Sequence, residues 1–205
     1  MQTPILTRRL ALLGGAFSLG GCSAITSLNS ASDPLEIYDL RPATGSTSGR
    51  RTSRTLLIAR PQASAALATD RIMIRTDPVS IAYLPDASWS DELPLVFQSL
   101  LVRSISQTGR IGYVGRSDAG PVPDKALLVR LDAFEVKAMG ENVFDVQVEV
   151  HLTILNDRDQ RVVASRGFAQ SAQTSDTTAK SVVGGFQKVL DDLLPVMSDW
   201  IIQRI

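Results

Sequence analysis

Phe144-Asp145-Val146-Gln147-Val148-Glu149-Val150-His151-Leu152-Thr153-Ile154 is a run in which every second side chain is apolar and the ones between are polar or charged. Successive side chains of a strand point to opposite faces, so this alternation specifies a long strand with one buried and one wet face. Residues 126–137 read as a preceding strand whose apolar phase slips near Ala133 and Phe134, the signature of a bulge. Asn156-Asp157-Arg158-Asp159 supplies a turn into a further strand over residues 161–170. Three long antiparallel strands are therefore expected.

Outward from this unit the period changes. In residues 176–204, Ala179, Val182, Val183, Phe186, Val189, Leu190, Leu193, Met197, Trp200 and Ile201 fall on one stripe of a helix that contains Gly184, Gly185 and Pro195. Residues 91–108 repeat the pattern with Leu93, Phe97, Leu100, Leu101 and Ile105, with Ser90 or Asp91 as a cap and Gly109 as the stop. Shorter strands are expected at residues 35–41, 55–59, 71–75 and 79–83, the last two joined at Asp77-Pro78. Residues 42–53, rich in Gly, Ser and Thr, read as a mobile loop ahead of Arg50, Arg51 and Arg54. Both helical stripes need the sheet to cover them. The expected fold class is α+β, a mainly antiparallel sheet with two amphipathic helices packed on one face.

The beginning of the chain has a different character. A positive segment ending at Arg8-Arg9 precedes an apolar stretch over residues 10–19 and then Gly20-Gly21-Cys22. This order is that of a signal peptide over residues 1–21; ten apolar residues fall short of the roughly 20 that a spanning helix needs. Adjacent arginines fit an ordinary positive segment or part of a twin-arginine signal, so both export routes stay open. Leu19-Gly20-Gly21-Cys22 resembles the bacterial lipobox, in which the cysteine thiol receives a diacylglyceryl group and its freed amine an acyl chain such as palmitate. That modification would account for an odd cysteine in an exported protein. Two or three acyl chains hold stably where one holds marginally. Ser23, in place of aspartate, leans towards outer-membrane sorting, and residues 22–34 read as a lipidated flexible tether to a single domain over residues 35–205.

Composition narrows the function. The chain of 205 residues is 44% hydrophobic and 20% charged, enough for a core and a soluble exterior. Basic and acidic residues number 21 each, and removal of Arg8 and Arg9 leaves 19 against 21. No broad positive field remains to bind nucleic acid. His151 is the only histidine and, lying beside Glu149 and Thr153 on the wet face, reads as a surface residue. With Cys22 acylated, no His/Cys zinc set is available, and neither a nucleophile elbow nor a phosphate loop occurs. Asp191 and Asp192 point to different azimuths, while Trp89 and Trp200 read as packing at helix ends. The expectation is a protein that is not an enzyme, with no catalytic residues, no metal and no cofactor beyond its lipid.

Ile37-Tyr38-Asp39-Leu40, Leu67-Ala68-Thr69-Asp70-Arg71-Ile72, Ile81-Ala82-Tyr83 and Trp89, followed by the long strands and the final helix, give an ordered set behind the lipobox. Over residues 35–205 the chain resembles the ABC-type transport auxiliary lipoproteins, the PqiC-like family. The resemblance implies an envelope component facing the periplasm, working with an MCE-domain protein and an ABC permease and ATPase in lipid transport between membranes or in outer-membrane lipid maintenance. A phospholipid-binding envelope module independent of any transporter is the alternative. Self-association is left open, as are the lipid and its direction of movement.

Overall fold

The computed structural model describes residues 35–140, 143–174 and 176–205. In chain order the elements are β1 (Glu36–Tyr38), β2 (Thr52–Ile58), β3 (Gln62–Ala63), β4 (Arg71–Arg75), β5 (Ile81–Trp89), α1 (Leu93–Ser106), β6 (Ile111–Arg116), β7 (Lys125–Gly140), β8 (Val143–Asn156), β9 (Arg161–Thr174) and α2 (Ala179–Ile202). Residues 35–205 form one compact unit.

The spine is β7, whose 16 residues extend about 50 Å at the usual strand rise. Along one side it pairs antiparallel with β8, which pairs antiparallel with β9, as the alternating run requires. Its other side is long enough for three short strands in succession. Strand β2 meets Lys125 to Leu127, β3 meets Arg130 and Leu131, and β4 meets Glu135 to Lys137, all running parallel to β7. Strand β6 continues parallel from β2, β5 pairs antiparallel with β4, and β1 lies parallel to β5. The sheet is therefore mixed and not mainly antiparallel, although the α+β class holds. Hydrophobic period identifies a strand but carries no information on its partner's direction. Long connections are what permit parallel pairing, through α1 for β2, β3 and β4 with β6 or β7 and through β2 to β4 for β1 with β5.

The phase slip in β7 is a bulge. Leu131 faces Val150 while Ala133 faces Glu149, which leaves Asp132 extra. Leu127, Val129 and Leu131 before it, and Phe134 and Val136 after it, consequently all reach the core. Both helices cover that face and touch each other, with α1 against β6 and β2 and α2 against β9 and β8. Phe134 is the node: it stacks on Phe186 of α2 with ring centroids 4.5 Å apart, and meets Phe97 of α1 and Trp89 edge-on. Each such fully buried side chain contributes roughly 1.5–3 kcal/mol.

Three local expectations change. Strand β5 runs past Tyr83 to Trp89 because Pro85 sits in a bulge where Asp86 has φ 55°, and Arg71 faces Ser88 while Met73 faces Tyr83. Helix α1 is capped by neither Ser90 nor Asp91; its N-cap is Glu92, without a side-chain bond, and Pro94 lies in its first turn. Residues 42–53, expected to be a mobile loop, are not free: Thr52 and Ser53 open β2, and the rest is held down, the Ser46 N–H donating to Asp199 Oδ1 at 2.8 Å, the Thr44 hydroxyl to Gln107 Oε1 at 2.6 Å and, just before the loop, the Arg41 N–H to Gln187 Oε1 at 2.9 Å. Gly109, with φ 63°, follows the end of α1 as expected.

Candidate functional site

The short sequence signatures, scattered between Ile37 and Trp89, meet at one place: the junction of β1, the turn before β4, and the passage from β5 into α1. Backbone bonds tie them together. The Trp89 N–H donates to the Asp70 carbonyl (2.7 Å), the Ser90 N–H to Tyr38 (2.9 Å) and the Leu93 N–H to Thr69 (3.0 Å). The Tyr83 hydroxyl donates to the Ala66 carbonyl at 3.1 Å, and the Ser90 hydroxyl donates to Asp39 Oδ1 at 3.2 Å. Trp89 closes the junction from within, its ring buried against Phe134 and Phe186.

Above this junction lies a shallow, open cleft of about 530 Å³, lined by Ile37, Thr69, Asp70, Trp89 and Asp91 among others. Carboxylates of Asp70, Asp91 and Glu92 border it, the last paired with Arg60. Anionic groups would be repelled there. A second open cleft of about 550 Å³ lies between β9 and α2, with Phe168 and Leu193 in its floor and Arg166 and Asp192 on its sides.

The wet face of the long strands carries the polar side chains. His151 Nε2 lies 2.8 Å from Ser165 Oγ, which is 2.7 Å from Thr153 Oγ1 and 3.2 Å from the Leu152 carbonyl. Thr153 thus stays close to His151 as expected, whereas Glu149 accepts from Gln147. Ser165 was not singled out from sequence. Its position follows from the register that sets His151 opposite Gly167 and Thr153 opposite Ser165, which no local pattern encodes. Asp132, displaced by the bulge, accepts from Arg130 at 2.6 and 3.1 Å. The Arg130 hydrogen bond, aided by the charges of Arg130 and His151, holds the Asp132 carboxyl below its ordinary value against a smaller opposing effect of burial.

One carboxylate on this face is buried. Glu135, only 3% exposed, accepts from Arg75 Nε and an Arg75 terminal nitrogen at 2.9 Å each, with Lys137 Nζ 3.8 Å away. The bidentate bond raises the Arg75 pKa and keeps the guanidinium charged.

Among the described residues no group of three or more His, Cys, Asp or Glu side chains is placed to hold a metal ion, and no helix is long and apolar enough to cross a membrane. Leu19, Gly20, Gly21 and Cys22 lie outside the described residues.

The sequence model of the ABC-type transport auxiliary lipoprotein component family matches residues 38–197. This chain belongs to that family. The matched span begins at Tyr38, which ties β1 to the signature junction, and ends at Met197 in α2, so it takes in every strand from β2 to β9. Among solved structures, a protein from Xanthomonas campestris is 25% identical, with 82% of this chain and 95% of that one covered at a TM-score of 0.74. An uncharacterized protein, 17% identical, shares the fold at a TM-score of 0.61, with 83% of this chain and 98% of its own covered. No protein among the curated relatives searched matches the chain.

Proposed function

We propose that this member of the auxiliary lipoprotein family is a non-enzymatic docking subunit of an ABC/MCE-type transport system, anchored through diacylglyceryl and N-acyl chains on Cys22 and facing the periplasm, at the outer membrane. The observation that carries the reading is the family match over residues 38–197 downstream of Leu19-Gly20-Gly21-Cys22. No phosphate loop occurs in the chain, so a partner ATPase would supply the energy and an MCE-domain protein the conduit. Removal of residues 1–21 would leave the single domain on its tether of residues 22–34.

Docking is favoured over lipid carriage by the core. The space between helices and sheet is filled by Phe97, Phe134, Phe186 and Trp89, and the two clefts are open and shallow. Neither cleft, both built from described residues, encloses an acyl chain in the way that small-molecule sites enclose their ligands. Crosslinking in native membranes tests the proposal. Recovery of an MCE-domain protein or an ABC permease is expected, and recovery of neither, while a known envelope complex is captured in parallel, refutes it. Native mass spectrometry that finds retained phospholipid would favour the carrier instead. Palmitate labelling that is lost in Cys22→Ser tests the anchor, and unchanged transport in His151→Ala tests the absence of a catalytic base.

A further inference from the structure

Strands β1, β3, β6 and β9 each pair along one side only, and their lengths are 3, 2, 6 and 14 residues. A free edge presents a row of unpaired N–H and C=O groups that can template another strand; shortness, lysine, proline and bulges are what blunt it. The first three edges are blunted by their shortness. Strand β9 has almost no such protection. It contains neither proline nor lysine, its charges are Arg161 and Arg166 alone, and its register with β8 is unbroken from Ala164 to Thr174.

Beside this edge runs the open cleft where Arg166, Phe168 and Gln170 of β9 face Asp192, Leu193 and Val196 of α2. Arg166 lies 4.8 Å over the Phe168 ring and, among the described residues, has no carboxylate partner. Asp192 Oδ2 accepts from the Gln170 amide at 3.3 Å. A cation and an anion thus stand four positions of β9 apart, each with capacity to spare.

An antiparallel ladder turns the N–H and C=O of every second residue away from the paired neighbour. A second β9 can join this edge where a two-fold axis normal to the sheet passes through one residue, which also keeps the two core faces on the same side. Centred on Phe168, the axis sets Arg166 opposite Gln170 of the second copy and so beside its Asp192, twice over. On the other face Ser165 meets Ser171, and Gly167 meets Ala169, all small. Residues 164–172 then pair, closing about eight to ten backbone hydrogen bonds. Centred on residue 166, the two guanidinium groups would face each other; centred on 167 or 169, Arg166 would face Phe168 or Ala172 in place of Gln170. The helices agree with the same axis. Helix α2 rests on both β8 and β9, which puts its axis about half a strand spacing inside β9 and the two helix axes about 10 Å apart. That is the distance at which helices pack, and Leu193 and the half-exposed Val196 are level with Phe168 to fill it.

We propose that the β9 edge is a homodimer interface, at which two copies of this chain join antiparallel about Phe168 into one continuous sheet closed by reciprocal Arg166–Asp192 ion pairs. The proposal depends neither on the transport partner nor on acylation.

Sedimentation equilibrium of the full detergent-solubilised protein is expected to give a dimer. Arg166→Asp and Asp192→Arg each reverse an exposed charge and should raise the dimer dissociation constant about tenfold or more, while the double variant Arg166→Asp/Asp192→Arg returns it towards wild type. Coexpressed Gly167→Cys and Ala169→Cys chains should join by a disulfide on mild oxidation, whereas either alone should not, because like positions lie beyond disulfide reach about this axis. The unsubstituted protein, with Cys22 as its only cysteine, is the blank. A monomer throughout the micromolar range overturns the proposal. So does a dimer or a larger ring that is indifferent to both charge reversals, or a disulfide that forms at 167 or 169 alone. Crosslinking of Ala169→Cys in native membranes to a different protein, with none to a second copy, overturns it in favour of a foreign strand.

Discussion

Gly184 and Gly185 are adjacent in α2, and alanine substitution is expected to stabilise the protein at the first position but not at the second. A Cβ at Gly184 would meet nothing within 4 Å, so Gly184→Ala gains the helix-propensity difference, about 1 kcal/mol. At Gly185 the same atom would lie 2.7 Å from Thr174 Cγ2 and 2.8 Å from Val146 Cγ2. Val146 is wholly buried and β-branched, so its methyl cannot swing aside and α2 must lift from β8 and β9. Overpacking of this kind costs about 1–3 kcal/mol, which cancels or exceeds the propensity gain. Gly185→Ala should therefore be neutral to about 2 kcal/mol less stable than wild type, and roughly 1–3 kcal/mol below Gly184→Ala. Thermal unfolding of the two detergent-solubilised lipoproteins should differ by several degrees, at about 2–4 °C per kcal/mol for a domain of this size. Equal stabilisation by both substitutions would mean that the helix does not lie this close to the sheet.

Other substitutions test the wet face and the core. Arg75→Met strands the buried Glu135 carboxylate with only Lys137 near it; a loss of about 2–3 kcal/mol in urea unfolding is expected, largely recovered in Arg75→Met/Glu135→Met, and a double variant no better than the single would contradict this. Phe134→Ala removes the ring shared by both helices and should cost about 3–5 kcal/mol, measured in the same way. Asp132→Asn should cost only a few tenths of a kcal/mol at neutral pH, because the Arg130 pair is substantially exposed. Since the folded Asp132 pKa lies below the unfolded value, that contribution is present above the unfolded value of about 4 and disappears as pH falls through the folded one; a difference from wild type that grew on acidification would reverse the sign.

What was legible in the sequence was legible because it is local. The stripes Leu93 to Ile105 and Val182 to Ile201, the alternation from Phe144 to Ile154 and even the bulge beside Ala133 each express contact with one buried surface. Strand β6 escaped notice because Gly112 and Gly115 dilute its pattern; a Cβ at Gly112 would meet the Ser53 backbone at 2.7 Å, so the glycine serves a neighbour distant in sequence. The strand expected to end at Tyr83 in fact runs on through Pro85 in a bulge to Trp89. The pairing of His151 with Ser165 depends on inter-strand register, and the signature residues around Trp89 show their common location only once β1, β4 and β5 are paired. The lipobox is read entirely from sequence.

The direction of the sheet is the most instructive of the non-local features. A strand of ordinary length has room for one neighbour on each side, and a hairpin-built meander would then have given the antiparallel sheet that the alternation suggests. Strand β7 is too long for that. Its antiparallel side is matched by β8 along nearly its whole length, while its other side accepts β2, β3 and β4 one after another, each returning from a separate excursion of the chain. The Asp132 bulge falls between the segments that receive β3 and β4. Were Asp132 paired in regular register instead of bulged out, the parity of β7 would change between them and Phe134 would face water. The bulge, by taking one residue out of register, therefore keeps a single apolar face continuous along β7, and that continuity allows both helices to share one core.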